Sequence, residues 1–200
     1  MLTAQEMANS LPNHPHADSA RYAALLADVS RDGNGPAMEK LLTDVQALAY
    51  RFSLLVCGNA SDAEDAMQDA LLQTYKSAGR IRKPDAFRTW LYRTVKNSCL
   101  MSRRTAAHEP TYKLSLDDVG ATEVASAAPN PEEQTAAARE RRRFQGAFKS
   151  LPRPFRLVAF LRDVEGLSTR EVADVVGISE DNVKQRLHRA RTLLRKALAA

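Results

Sequence analysis

Apolar residues recur near a 3.6-residue period along most of this chain, the signature of amphipathic helices. Tyr22, Leu25, Leu26 and Val29 predict a helix over 19–31, stopped by Asp32-Gly33-Asn34-Gly35. Pro36 suits the first turn of the next helix. There Leu41, Leu42, Val45, Leu48, Ala49, Phe52 and Val56 keep the period to about Cys57. Gly58-Asn59 closes it, and Ser61 or Asp62 is placed to cap a third helix reaching about Ser77. A short basic loop follows. Pro84 then opens a fourth helix carrying Phe87, Trp90, Leu91, Val95 and Leu100. No segment shows the strict alternation of a half-buried strand.

The period is absent at the two places where Pro, Ser, Asn and Thr gather. Residues 1–18 read as a mobile tail. Residues 106–131 hold Pro110, Pro129 and Pro131 among many Ala, Ser and Thr, and read as a flexible linker. Helical pattern resumes from Pro131 to Lys149, breaks at Leu151-Pro152, and returns in Phe155, Val158, Ala159 and Leu161 as far as Val164. Glu165-Gly166 ends that helix. The expected fold is all-α: two small helical domains, 19–105 and 132–200, joined by a flexible acidic linker.

The most informative segment runs from Ser168 to Arg191. Ser168 and Glu171 have capping-box spacing. Val172, Ala173 and Val176 face inward, Gly177 supplies a turn, Ile178 plugs the core and Ser179 caps a second helix. On that helix Val183, Leu187, Ala190 and Leu194 form one buried stripe, leaving Asp181, Asn182, Gln185, His188 and Arg189 outward. This is the layout of a helix-turn-helix, whose second helix enters the DNA major groove. Gln, Asn and Arg make bidentate contacts with base edges, and flanking Lys184, Arg186 and Arg191 suit phosphates.

Charge sharpens that picture. The whole chain of 200 residues carries a formal +5. Residues 135–200 contain fifteen basic against seven acidic residues, while the remainder is net acidic. A strongly basic module seeks a polyanion. A second basic block, from Arg80 to Arg104, interleaves bases with aromatics: Phe87, Arg88, Trp90, Tyr92, Arg93, Lys96 and Asn97. That mixture suits single-stranded DNA, with Phe87, Trp90 and Leu91 read chiefly as core. Asp65, Gln68, Asp69 and Leu72 share one face of the third helix, a docking surface for a basic helical partner. No apolar run approaches the ~18 residues of a membrane span, and the N-terminus lacks the order of a secretory signal. No nucleophile–base set, phosphate-binding glycine loop or metal-ligand spacing is present, so no enzyme, cofactor or metal site is expected. Cys57 and Cys99 read as buried, reduced thiols of a cytoplasmic protein, with a redox role left open.

Three motifs in order carry a family resemblance: Asp62-Ala-Glu-Asp-Ala-Met-Gln-Asp69; Phe87-x-x-Trp-Leu-Tyr-Arg-x-x-x-Asn97; and 151–195, with Glu165-Gly166-Leu-Ser and Val183-Lys-x-Arg-Leu-x-Arg-Ala-Arg191. Together they resemble the bacterial RNA polymerase sigma factors of the extracytoplasmic-function type, group IV of the sigma-70 family. The resemblance implies a chain that binds core RNA polymerase and initiates transcription at a specific regulon. Its first domain would dock through Asp65, Gln68, Asp69 and Leu72. It would also melt the −10 promoter element with Arg80, Arg82, Lys83, Arg93, Lys96 and Asn97. The second domain would read the −35 element through Lys184, Gln185, Arg186, His188, Arg189 and Arg191. Promoter DNA, core polymerase and an anti-sigma factor are the implied partners, without membrane insertion.

Departures from the pattern fall at Ala66, where a larger aliphatic is usual, at Met101, often acidic, at Arg170-Glu171, in place of a common aromatic-Glu pair, and at Gln185, where Ser is frequent. Gln185 and His188 leave the −35 sequence open. The alternative is a stand-alone helix-turn-helix regulator with a helical sensor or dimerisation domain, which would need a symmetric dimer.

Overall fold

The computed structural model describes residues 15–33, 35–106 and 136–199, and among these every regular element is helical. Most of the tail and nearly all of the acidic linker lie outside the described residues. Helix α1 spans Pro15–Asp32, α2 Pro36–Cys57, α3 Ala60–Ser77 and α4 Phe87–Ala106. Two single 3₁₀ turns, Ala78–Arg80 and Pro84–Ala86, connect α3 to α4. The second block has α5 (Ala136–Lys149), α6 (Arg153–Ala159), α7 (Thr169–Val176) and α8 (Glu180–Ala199).

Local chemistry explains most boundaries. Gly35 caps α2 with Pro36 in its first turn, where a missing N–H costs nothing. Gly58, at φ +85°, ends α2 by donating its N–H to the Leu54 carbonyl at 3.1 Å. Three sequence expectations shift. Helix α1 begins at Pro15, inside the stretch read as tail. The cap of α3 is Asn59, which accepts from the Asp62 N–H at 2.8 Å, so α3 starts ahead of Ser61 and Asp62. And α6 does not continue as an α-helix to Val164: Phe160–Val164 form a π turn, closed by the Glu165 N–H on the Phe160 carbonyl at 2.9 Å.

In the first block α2 packs against α3 and α4 around Leu41, Val45, Phe52, Leu91, Tyr92 and Val95, all fully buried. Ala63, Ala66 and Ala70 line the inner face of α3, and their small side chains let it approach α2 closely. Phe52 meets Tyr92 edge-on, with ring centroids 4.7 Å apart. The expectation of reduced thiols is overturned: Cys57 and Cys99 form a disulfide, with Cα atoms 5.5 Å apart, tying the end of α2 to α4. Compartment logic argued for free thiols, but local pattern does not reveal two helices bringing positions 42 residues apart together.

The second block is built on the helix-turn-helix. Ser168 accepts from the Glu171 N–H at 3.2 Å, and Glu171 accepts from the Ser168 N–H at 2.7 Å, completing the capping box. Gly177, at φ +82°, makes the turn. Val172, Val175, Val183 and Ala190 are fully buried between α7, α8 and α6.

The two blocks are packed on each other, and their buried residues form one continuous cluster. Phe52 of α2 stacks on Phe160, centroids 6.1 Å apart. Beside that contact, Arg88 of α4 donates to the Glu165 carboxylate at 2.7 Å and to its carbonyl at 2.8 Å. Tyr92 donates to the same carboxylate oxygen at 2.5 Å, and Thr89 donates to Glu171 at 3.1 Å. Glu165 is 1% exposed and Arg88 6%.

Candidate functional site

Three surfaces carry the candidate residues. On α3, Asp65, Gln68, Asp69 and Leu72 are all exposed along one face, Leu72 to 49%. Tyr75, at the next helical step, extends that face with another large exposed ring (44%). Sequence reading stopped at Leu72, although Tyr75 lies three residues further on, where i, i+3 neighbours share a face. Beside this ridge a cleft of ≈490 Å³ opens between α2 and α3, lined by Thr43, Gln46, Ala47, Tyr50, Glu64, Met67 and Gln68. The first turn of α3 is acidic, and acidic side chains are favoured there by the helix dipole. An acidic face with an apolar ridge is complementary to a basic helix bearing apolar anchors.

The second surface lies around the α3–α4 connection. Arg80, Arg82 and Lys83 are exposed on it, and Arg93 and Asn97 are exposed on α4. Lys96 differs. It is half-buried, and its Nζ lies 3.9 Å from where a Cβ at Gly177 would sit. Burial, reinforced by the nearby Arg93 charge, pulls the Lys96 ammonium below its ordinary pKa. Trp90 is partly buried and stacks on Phe87, centroids 5.9 Å apart. Arg88 and Tyr92, the other members of the aromatic-basic run, point into the protein and serve Glu165. Burial, then the Glu165 charge, push the Tyr92 hydroxyl well above its ordinary value, which keeps it a neutral donor.

The third surface is the outer face of α8. Asn182, Gln185, His188 and Arg189 are exposed, and Arg186 is half-buried. Asn182, Gln185, Arg186 and Arg189 line a shallow cleft with Pro154 and Phe155 of α6. Lys184 is exposed and ion-paired with Asp181 at 3.0 Å, which raises its pKa through hydrogen bond and charge. Arg191 is placed differently from its neighbours: both arms of its guanidinium grip Asp163, at 3.1 and 2.5 Å. That fork fixes α8 to the π turn. Sequence spacing put Arg191 beside the phosphate-facing bases and showed nothing of a carboxylate 28 residues upstream.

Among the described residues no group of His, Cys, Asp and Glu is arranged to hold a metal ion. No described helix is long and apolar enough to cross a membrane. Comparison with known proteins assigns both blocks. The family model "Sigma-70 region 2" matches residues 37–109, and "Sigma-70, region 4" matches residues 141–194. The ECF RNA polymerase sigma factor SigM of Mycobacterium tuberculosis is 32% identical over 185 residues, which cover 92% of this chain and 86% of that relative. The chain belongs to the sigma-70 family, as a sigma factor of the extracytoplasmic-function type.

SigE of Mycolicibacterium smegmatis is likewise 32% identical, over 82% of this sigma factor, but the match spans only 62% of that relative's length. Two solved structures share the fold. CnrH, solved with the cytosolic domain of CnrY, aligns with TM-score 0.53 and 24% identity over 89% of this chain and 97% of that one. RpoE of Bartonella quintana, solved with the anti-sigma factor NepR, aligns with TM-score 0.59 and 21% identity over 81% and 96%. As a member of this family the sigma factor binds core RNA polymerase and promoter DNA and directs transcription initiation.

Proposed function

We propose the division of labour among its surfaces. The domain at 19–105 docks on core polymerase through Asp65, Gln68, Asp69 and Leu72, with Tyr75 continuing the apolar ridge. It opens the −10 element with Arg80, Arg82, Lys83, Arg93, Lys96 and Asn97. The domain at 132–200 reads the −35 element through Lys184, Gln185, Arg186, His188 and Arg189, while Arg191 orients α8 through Asp163 and reaches phosphate only by giving up that pair. The chain is a non-enzymatic, cytoplasmic initiation factor, held in check by an anti-sigma factor as its structural neighbour RpoE is pictured with NepR.

One observation supports this reading above the rest: an acidic-apolar face on α3 and an outward basic face on α8 occur in one chain. Opposite charge patterns suit opposite partners, a basic protein helix and a polyanion. Run-off transcription with purified core polymerase tests it. Asp69→Lys is expected to weaken polymerase binding at least about tenfold, roughly 1.4 kcal/mol for a reversed charge in a complementary interface. Unchanged polymerase affinity would remove the α3 face from the docking role.

A further inference from the structure

Arg191 stands on the outward side of α8 and yet is held back from solvent-facing duty. Lys184, His188 and Arg191 are spaced four and three residues apart, so they share one stripe of the helix. Instead of extending along that stripe, the Arg191 guanidinium donates from Nε and Nη2 to the two carboxylate oxygens of Asp163, at 3.1 and 2.5 Å. The pair adds little to stability, because the side chains remain 48% and 30% exposed and water screens them. What the fork supplies is geometry: two N–H···O bonds fix direction as well as distance. The carboxylate itself is placed by an irregularity. Asp163 lies within the π turn Phe160–Val164, which shifts it from where a continuing α-helix would carry it, and single π turns inside helices are frequent at functional sites.

We propose that Asp163 is a specificity-determining residue of this sigma factor: it withholds Arg191 from the DNA backbone and, through the same fork, sets the angle at which α8 offers Gln185 and Arg189 to base edges. The inference deepens the −35 reading proposed above and rests on it. Non-specific binding comes almost wholly from phosphate contacts, which are alike at every sequence. An unengaged Arg191, one turn beyond His188, adds such a contact wherever α8 meets a duplex and improves the match nowhere. Base contacts are more demanding, since a bidentate hydrogen bond forms only when the helix presents its side chain at one orientation. The fork ties α8 to the turn that follows α6 and so removes freedom from that orientation. Loss of the Asp163 carboxylate therefore raises affinity for any DNA while loosening the reading row, and both effects lower discrimination.

Two measurements on the full chain test this. The first is fluorescence anisotropy with a random-sequence duplex over a potassium chloride series. Asp163→Asn is expected to tighten binding at least about threefold at low salt and to steepen the fall of log K with log salt by about 0.9, the increment for one more phosphate. Arg191→Gln should keep the wild-type slope, because Arg191 is already engaged, and in that background Asp163→Asn should no longer steepen it. The second is run-off transcription with core polymerase on promoters differing at single −35 base pairs. There Asp163→Asn is expected to lower discrimination at least about threefold, with helical circular dichroism and the unfolding midpoint unchanged, while Asp163→Glu retains most of it. An unchanged slope in Asp163→Asn, or a slope lowered by Arg191→Gln alone, overturns the proposal. So does equal steepening with and without Arg191, which assigns the effect to the carboxylate's own charge, and so does intact discrimination in Asp163→Asn. Wild-type run-off indifferent to every −35 base pair, with the salt slopes as expected, strikes the −35 reading and leaves the hold on Arg191 standing.

Discussion

Helices α4 and α8 are a matched pair in sequence and opposites in the folded molecule. Each has 20 residues, and each carries bases at helical spacing around an apolar stripe. On α8 the stripe of Val183, Leu187 and Ala190 is buried, and Gln185, His188 and Arg189 stand in solvent. On α4 the inner side consumes part of the charge: Arg88 is buried on Glu165 and Lys96 is half-buried at the turn. A basic helix is therefore not yet a nucleic-acid surface. What counts is which cations remain available once neighbouring elements have taken theirs.

That contrast predicts stability effects inside α4 and functional effects outside α8. The largest concerns the crosslink anchoring α4. The chain-entropy picture gives a disulfide closing a loop of this size about 2–4 kcal/mol. Cys57→Ser/Cys99→Ser, or reductant, should lower the unfolding free energy by that amount in urea titrations. Coincident curves for oxidised and reduced protein would mean that α4 is held by packing alone.

Next comes Arg189→Ala. Its exposure predicts a stability change within about 0.5 kcal/mol, and the loss of a base-edge contact predicts about 1–3 kcal/mol less −35 discrimination. Competition between matched and mutated −35 promoters in run-off assays measures this. A variant that unfolds early yet discriminates normally would reverse the contrast with α4.

The smallest effect is at the capping box. Burial works against ionisation of Glu171, but hydrogen bonds from Ser168 and Thr89, with the Arg88 charge, outweigh it and hold its pKa below the ordinary carboxylate value. The folded-state pKa is depressed, so this contribution is complete above the unfolded value and is lost as pH falls through the folded one. Ser168→Ala should cost about 1 kcal/mol at neutral pH, as an N-cap loss does. The difference between variant and wild type should shrink as acid protonates Glu171. A pH-independent difference would assign the loss to the hydroxyl cap alone.

Features encoded within a few residues were readable before folding. Pro36, Gly58, the Ser168–Glu171 pair and Gly177 each fix a boundary through bonds to their own neighbours. Competition among adjacent capping residues was harder to judge: Asn59 takes the Asp62 N–H, although Ser61 and Asp62 are also good caps. Pairings across the chain left no trace in local pattern. Glu165 read as a helix stop, and nothing near it announced Arg88, 77 positions earlier. Arg191 looked like the neighbouring bases Lys184 and Arg186 until Asp163 appeared opposite it. In each case the missing information was the tertiary neighbour, which neither periodicity nor spacing supplies.

The strict division of α8 into an inner stripe and an outer row has an evolutionary corollary. The solvent-facing residues proposed to address DNA lie outside the buried stripe, so they can be exchanged without refolding the domain. If Gln185, His188 and Arg189 read the −35 element as proposed, altering them redirects the same scaffold to a different set of genes, one solvent-facing substitution at a time.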